Sequence, residues 1–213
     1  HRHQTPQRHR TSPQPRVHPR TPLLQGPLAP HHLEMNLYHL SSMPDTHQGK
    51  AAQTQFSKQS AYYADSQQHS AGESLQVVRE FVAKSPGGIL LDVGTGVGFT
   101  ALGVRDLVTE VIATDISSGM LGQAEKLFTE QRPGNIAIAY AEAESLPFAS
   151  GSLDVVTSRH AAHHFYDIDT AVQEFARVLK KGGVMIVIDP IAPISPAVDA
   201  WLNDVEVRRD PTH

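Results

Sequence analysis

Apolar positions take up a helical rhythm after residue 70. In "SAGESLQVVREFVAKSPGG", Leu75, Val78 and Val82 recur at helical spacing with Val77 and Phe81 beside them. Ser70 and Glu73 stand in capping-box spacing, and Pro86-Gly87-Gly88 stops the helix. The rhythm then changes to short, nearly continuous apolar runs: 89–93, "VIATD" at 111–115, "IAIAY" at 136–140, 153–158, and "VMIVID" at 184–189. Between them lie helical patterns: one with Ala101, Leu102 and Val104 facing inward, one over 117–128, and "TAVQEFARVLKKGG" with a glycine stop. Apolar strands without alternation, separated by helices, predict a mainly parallel sheet covered on both faces, a doubly wound α/β fold. Such sheets bind ligands beyond the carboxyl ends of their strands. Residues 94–99, 115–116, 141–144, 158–165 and 189–191 are therefore where a site would form.

The 213 residues suffice for one α/β domain and an appendage. A net charge of −4 gives no reason to expect nucleic acid as a partner, and no apolar run approaches the roughly 20 residues of a membrane span. The chain has no cysteine, which excludes disulfides, thiolate zinc sites and cysteine nucleophiles. Residues 1–33 contain no acidic residue and are dominated by Pro, His and Arg. We expect a disordered extension over 1–45 and a folded domain over 46–213. The extension is Arg-bearing and acid-free like an organelle transit segment, yet it lacks a helical apolar face. Translation starting at Met35 or Met43 is the equal alternative. The expected compartment is the cytoplasm, or an organelle if residues 1–34 are a transit segment. Composition leaves the oligomeric state undetermined.

"LLDVGTGVGFT", residues 90–100, follows the first strand with glycines at 94, 96 and 98. The dinucleotide fingerprint G-x-G-x-x-G would need glycine at 99, where Phe99 stands; the spacing here is G-x-G-x-G. Taken alone, the turn is either a cofactor cradle or a tight strand-to-helix connection. Asp115 ends the second strand, where a carboxylate accepts ribose hydroxyls or caps the next helix. After the third strand, the Glu142 carboxylate and the Ala143 amide suit the donor and acceptor edge of adenine. Ile116 and Met120 offer apolar contact to a purine, or serve as core.

"LDVGTGVG", "VIATD", "AEAESLPF", "SLDVVTSRHAAHHF" and "FARVLKKGGVMIVID", in this order, resemble class I S-adenosylmethionine-dependent methyltransferases over about residues 50–210. The resemblance is to the type 11 branch, which includes the ubiquinone and menaquinone biosynthesis enzymes. It implies a Rossmann-like methyltransferase fold and S-adenosylmethionine as cofactor. By the same resemblance, Asp92, Gly94, Thr95, Gly96 and Gly98 lie under the methionine part, and Asp115 at the ribose with Ile116 and Met120. Glu142 and Ala143 fall at the adenine, and Ser158 and Arg159 after the fourth strand complete the set. The family usually has Asp where Glu142 stands. Phe56, Tyr62 and Tyr63 resemble its N-terminal lid. Class I enzymes close the sheet with two further strands. Here "EVRRDPTH" resembles the segment leading toward them, so a sheet ending at strand five with an unpaired edge is expected.

Methyl transfer from a sulfonium is an in-line displacement that needs alignment and, for some acceptors, a base. His163 and His164 in "SRHAAHHFYD" are candidate bases, with packing at a helix start as the alternative role. His160, His163, His164 and Asp167 have spacing that a metal can use, but adjacent histidines diverge on a helix and the resemblance supports no metal. Without cysteine, cytosine-C5 chemistry is unavailable. No Asp/Asn-Pro-Pro-aromatic motif of the adenine-N6 enzymes follows strand four. The expected acceptor is a small molecule, possessing a carbon or oxygen nucleophile and resembling a quinol or phenol. The competing readings are a non-catalytic or incomplete cofactor-binding chain, and a nucleotide-dependent oxidoreductase, against which Phe99 argues.

Overall fold

The computed structural model describes residues 72–209 apart from positions 86 and 192. Ser70, Pro86, the lid aromatics Phe56, Tyr62 and Tyr63, the extension and residues 210–213 lie outside that set. The elements are α1 (Glu73–Val82), β1 (Ile89–Val93), α2 (Phe99–Val104), β2 (Glu110–Asp115), α3 (Ser118–Gln131) and β3 (Ile136–Tyr140). Then come β4 (Leu153–Arg159), a 3-10 turn (Ala162–His164), α4 (Ile168–Val178), β5 (Leu179–Ile188) and α5 (Pro196–Arg209).

All five strands are parallel, in the order β3-β2-β1-β4-β5. The order reverses between β1 and β4, so the crevice beyond those two strands is where this topology opens a ligand site. Successive strand residues enter opposite cores. Leu90, Val111, Ala113 and Val155 pack under α1, α2 and α3 with Val78, Ala101, Val104 and Phe128. Leu91, Ile112 and Val156 pack on the other side with Phe148 and with Ala171, Phe175 and Val178 of α4. Both faces are buried, which is why the runs show no polar alternation. Among the described residues, β5 pairs with β4 alone, and no helix is long and apolar enough to cross a membrane.

Three boundaries differ from the sequence pattern. Gly72 is the N-cap of α1 without a side-chain cap bond, so Glu73 is the first helical residue and not the third of a capping box. The helix α4 ends at Val178, not at the glycines: Leu179 is already extended (ψ 137°) and pairs with Leu153. Val155 next pairs with Val184, so Lys180 to Gly183 form a bulge in β5, with Gly182 at φ +83°. The third difference is α5, which no apolar rhythm announced. It begins with Pro196 at its first position, where a missing N–H costs nothing. Its Val198, Trp201 and Val205 are exposed.

One polar cluster fixes the 146–150 loop to α4. The Arg177 guanidinium donates to Glu174 (2.6 and 2.7 Å), to the Leu146 carbonyl (2.9 Å) and to the Phe148 carbonyl (2.7 Å). Glu174 in turn accepts from the Leu146 amide at 2.8 Å. Arg177→Ala is expected to cost about 2 kcal/mol, because carbonyls and a carboxylate lose a charged donor at once. Arg177→Lys should recover little of it, since a single ammonium cannot span the fork. The urea midpoints of the two variants check this.

Candidate cofactor and acceptor site

The turn between β1 and α2 is built on a buried carboxylate. Asp92 accepts from the Thr95 hydroxyl (2.6 Å) and, across the sheet, from the Thr157 hydroxyl (2.7 Å). Burial pushes its carboxyl above the usual range, while those hydroxyls and the nearby Arg159 guanidinium oppose the rise. Arg159 is itself buried, which lowers its pKa, and it donates to Thr100 (2.9 Å) and to Ser74 of α1 (3.0 Å). Asp92 thus sits beneath the turn and reaches it through Thr95.

Gly94, Gly96 and Gly98 all adopt the left-handed region, at φ +69°, +57° and +93°. Their surroundings separate them. A β-carbon at Gly94 would stand 2.5 Å from the Ala161 Cβ, and one at Gly98 2.5 Å from the Phe128 ring, but one at Gly96 would meet nothing within 4 Å among the described residues. Two glycines close the turn against the protein, and the middle one borders open space.

Asp115, at the end of β2, faces that middle glycine. Its carboxylate accepts from the Gly96 amide and from the Ser117 amide, each at 2.8 Å. Burial pushes its pKa up to about 6 against the pull of those amides. Ser117 takes the cap position of α3, accepting from the Met120 amide at 3.2 Å. Ile116 is half-buried and Met120 buried. One strand over, the Ala141 amide donates to the Asp115 carbonyl at 3.3 Å. This brings the buried Glu142 and Ala143 next to the same end of the sheet, in a tight turn closed from Ser145 to the Glu142 carbonyl. In β4, the buried Ser158 hydroxyl has no hydrogen-bond partner among the described residues.

The histidines gather on the other side of the crevice. His160 adopts φ +57°, and its ring Nε2 lies 2.9 Å from the Ser74 hydroxyl. Burial and Arg159 hold its pKa down. His163 and His164 occupy the 3-10 turn with ring centroids 3.8 Å apart. His163 meets Asp189, just past β5, at two points. Its amide donates at 2.7 Å to Oδ2, and its ring Nδ1 lies 2.7 Å from Oδ1. Asp167 caps α4 through Thr170. Among the described residues, no group of three or more acidic or histidine side chains comes together to hold a metal.

The sequence pattern therefore locates the turn, Asp115, Glu142, Ala143 and the two histidines at one end of the sheet. The closeness of Gly94 to Ala161 brings the glycine turn against the histidine turn. It misses three supports. Asp189 stands at a post-strand position, which was its only signal. Glu144 accepts the Tyr166 and Asp167 amides (2.9 and 3.3 Å), tying the 141–148 turn to the start of α4. Thr157 reaches Asp92 from a neighbouring strand.

The family model described as "Methyltransferase domain" matches residues 91–187. An uncharacterized methyltransferase of Bacillus subtilis, YcgJ, is 37% identical over 161 residues, covering 76% of this chain and 64% of its own length. A demethylmenaquinone methyltransferase of Bacteroides fragilis is 36% identical over 107 residues, 49% of this chain and 44% of that one. The chain thus spans less than two thirds of the length of these curated relatives. The crystal structure of the Bacillus subtilis protein superposes with a TM-score of 0.61 at 38% identity, over 66% of this chain and 60% of that one. Residues 91–187 thus match a methyltransferase-domain family, and the strand order and the glycine turn beside Asp115 agree with the methyltransferase structures to which the chain is similar.

Proposed function

We propose that the protein binds S-adenosylmethionine beyond the carboxyl ends of β1, β2 and β3 and methylates a small-molecule acceptor. The observation that carries this reading is the pairing of a buried Asp115 carboxylate with the Gly96 amide, at the glycine of this turn that borders open space among the described residues. A sugar with two adjacent hydroxyls suits such a carboxylate, and no phosphate clamp is needed. When bound, the cofactor supplies an electrophilic methyl group on a sulfonium.

The turn of Asp92, Gly94, Thr95, Gly96 and Gly98 then forms the floor under the methionine part. Asp115 holds the ribose, with Ile116 and Met120 alongside. Glu142 and the Ala143 amide face the adenine edge, and Ser158 and Arg159 line the end of β4. The unpartnered Ser158 hydroxyl fits a polar ligand atom on this side. His163 and His164 stand toward the acceptor. A quinol or phenol is the favoured acceptor class, in keeping with the quinone-pathway names of several relatives.

Calorimetry with S-adenosylhomocysteine should show saturable binding with Kd on the order of micromolar. A folded sample that binds neither it nor S-adenosylmethionine, or that binds NADH more tightly, would overturn the reading. Gly96→Ala discriminates further. Its methyl enters open space, so the fold should survive with about 1 kcal/mol of backbone strain. The same methyl narrows the cradle, and affinity should drop about tenfold or more. Labelled-methyl transfer across hydroquinones, catechols and simple phenols then tests the acceptor class.

A further inference from the structure

The two-point contact between His163 and Asp189 is not needed to hold a cofactor, and it has a specific chemical consequence. The Asp189 Oδ2 accepts the backbone amide of His163 at 2.7 Å, so this carboxylate is an acceptor toward that residue. The ring Nδ1 stands 2.7 Å from the other oxygen. Two oxygens of one carboxylate therefore grip the main chain and the ring of one residue. In this arrangement Nδ1 carries the hydrogen, and the basic lone pair of the neutral ring lies on Nε2. The ring cannot flip about χ2, which would put Cδ2 in the place of Nδ1, without breaking a charge-assisted bond. The 3-10 turn that carries His163 starts one residue after Ala161, the residue packed against Gly94. The gripped imidazole therefore belongs to the same end of the sheet as the glycine turn.

We infer that His163 is the general base toward the acceptor and that Asp189 is its positioning residue, setting the tautomer that makes Nε2 the proton acceptor. This deepens the methyltransferase reading and rests on it. It also narrows the acceptor to a molecule that releases a hydroxyl proton. For O-methylation, the hydroxyl proton passes to Nε2, the oxygen lone pair forms the new C–O bond, and the electrons of the breaking C–S bond return to sulfur. For C-methylation of a quinol ring, the hydroxyl proton passes to Nε2, and the ring carbon forms the new C–C bond as the C–S electrons return to sulfur. The proton on that carbon then moves to the oxygen, restoring the hydroxyl and the aromatic ring. One base serves both outcomes. The His164 ring lies 3.8 Å from that of His163, tilted by 48°, which fits a role as a ring support.

The test uses the full chain. Long-range nitrogen–proton NMR on the imidazoles reads the tautomer directly, without turnover. Neutral His163 should carry its hydrogen on Nδ1, and Asp189→Asn should abolish that preference. Finding the hydrogen on Nε2 in the unmodified protein, or the same tautomer after Asp189→Asn, would overturn the assignment. Calorimetry with S-adenosylhomocysteine on His163→Gln and Asp189→Asn separates the two readings. Affinity within threefold of the unmodified protein shows the cofactor site intact, so any failure then falls on the dyad. With a hydroquinone acceptor, His163→Gln should lower kcat about 10²- to 10⁴-fold. That deficit should shrink roughly tenfold per pH unit as the hydroxyl approaches its own ionisation. A deficit unchanged between pH 7 and 9.5 would mean a structural role and would sink the proposal.

Discussion

Asp115→Asn is expected to weaken S-adenosylhomocysteine binding by 100-fold or more while the domain stays folded. A carboxylate that accepts two hydroxyl protons forms two charge-assisted bonds, each worth about 1.5–3 kcal/mol. Losing roughly 3 kcal/mol is already a factor above 100. The variant keeps the shape of the side chain but presents one NH2 where two backbone amides now donate. One of those amides loses its acceptor, at about 1–3 kcal/mol. Removing a buried charge offsets part of that cost, so the fold should survive.

The same residue sets a pH dependence with two opposite signs. Its pKa is raised from 3.8 to about 6 by burial, so the folded protein binds this proton more tightly than the unfolded chain does. The stability it contributes is fully present below about pH 4 and is lost as pH rises through about 6. The loss amounts to at most about 3 kcal/mol in the ligand-free protein. Cofactor binding runs the other way. Hydroxyl donors need the ionised carboxylate, so affinity should fall up to tenfold per unit below about pH 6. Urea unfolding and calorimetry from pH 4 to 8, on the unmodified protein and Asp115→Asn together, isolate both effects as a difference. An affinity ratio that does not change with pH would remove Asp115 from the ribose.

Residues whose role follows from their place along one strand were legible in the sequence. The runs at 89–93, 111–115 and 136–140 read as buried strands because most of their apolar residues enter one of two cores and none of the residues is exposed. Asp115 was visible as a carboxylate at a strand end, and Phe99 ruled out the dinucleotide spacing. What depends on a partner far along the chain was not legible. Leu179 and Lys180 favour helix on propensity, and only pairing with Leu153 makes them strand. Arg177 and Glu174 look like an ordinary exposed helical pair, yet their guanidinium and carboxylate hold the main chain of the 146–150 loop. Asp189 lies 26 residues from His163, so no local pattern joins them. Asp92 read as a cofactor contact from its place before the glycines. Its two oxygens are met by Thr95 and Thr157, which accounts for its burial without a ligand.

Gly98→Ala should cause a much larger stability loss than Gly96→Ala in the same turn. Gly98 is at φ +93° and is the N-cap of α2, so any side chain there pays about 1–2 kcal/mol in backbone strain. The added methyl would also stand 2.5 and 2.7 Å from the Phe128 ring and 3.3 Å from the Ala124 Cβ. Phe128 is 8% exposed and packs within the first core, so its ring has no open space to swing into. Overpacking of this kind costs about 1–3 kcal/mol more. The sum, about 2–5 kcal/mol, is a large share of the 5–15 kcal/mol typical of a folded domain. Gly96→Ala shares the positive φ but meets nothing, and should lose only about 1 kcal/mol. A double-mutant cycle with Phe128→Leu distinguishes collision from strain. If the ring is the obstacle, the smaller side chain should return part of the loss, giving a coupling of about 1 kcal/mol or more. Strictly additive effects would place the whole cost in the backbone, and Gly98 would then serve the turn through its dihedral angles and not through its close approach to α3.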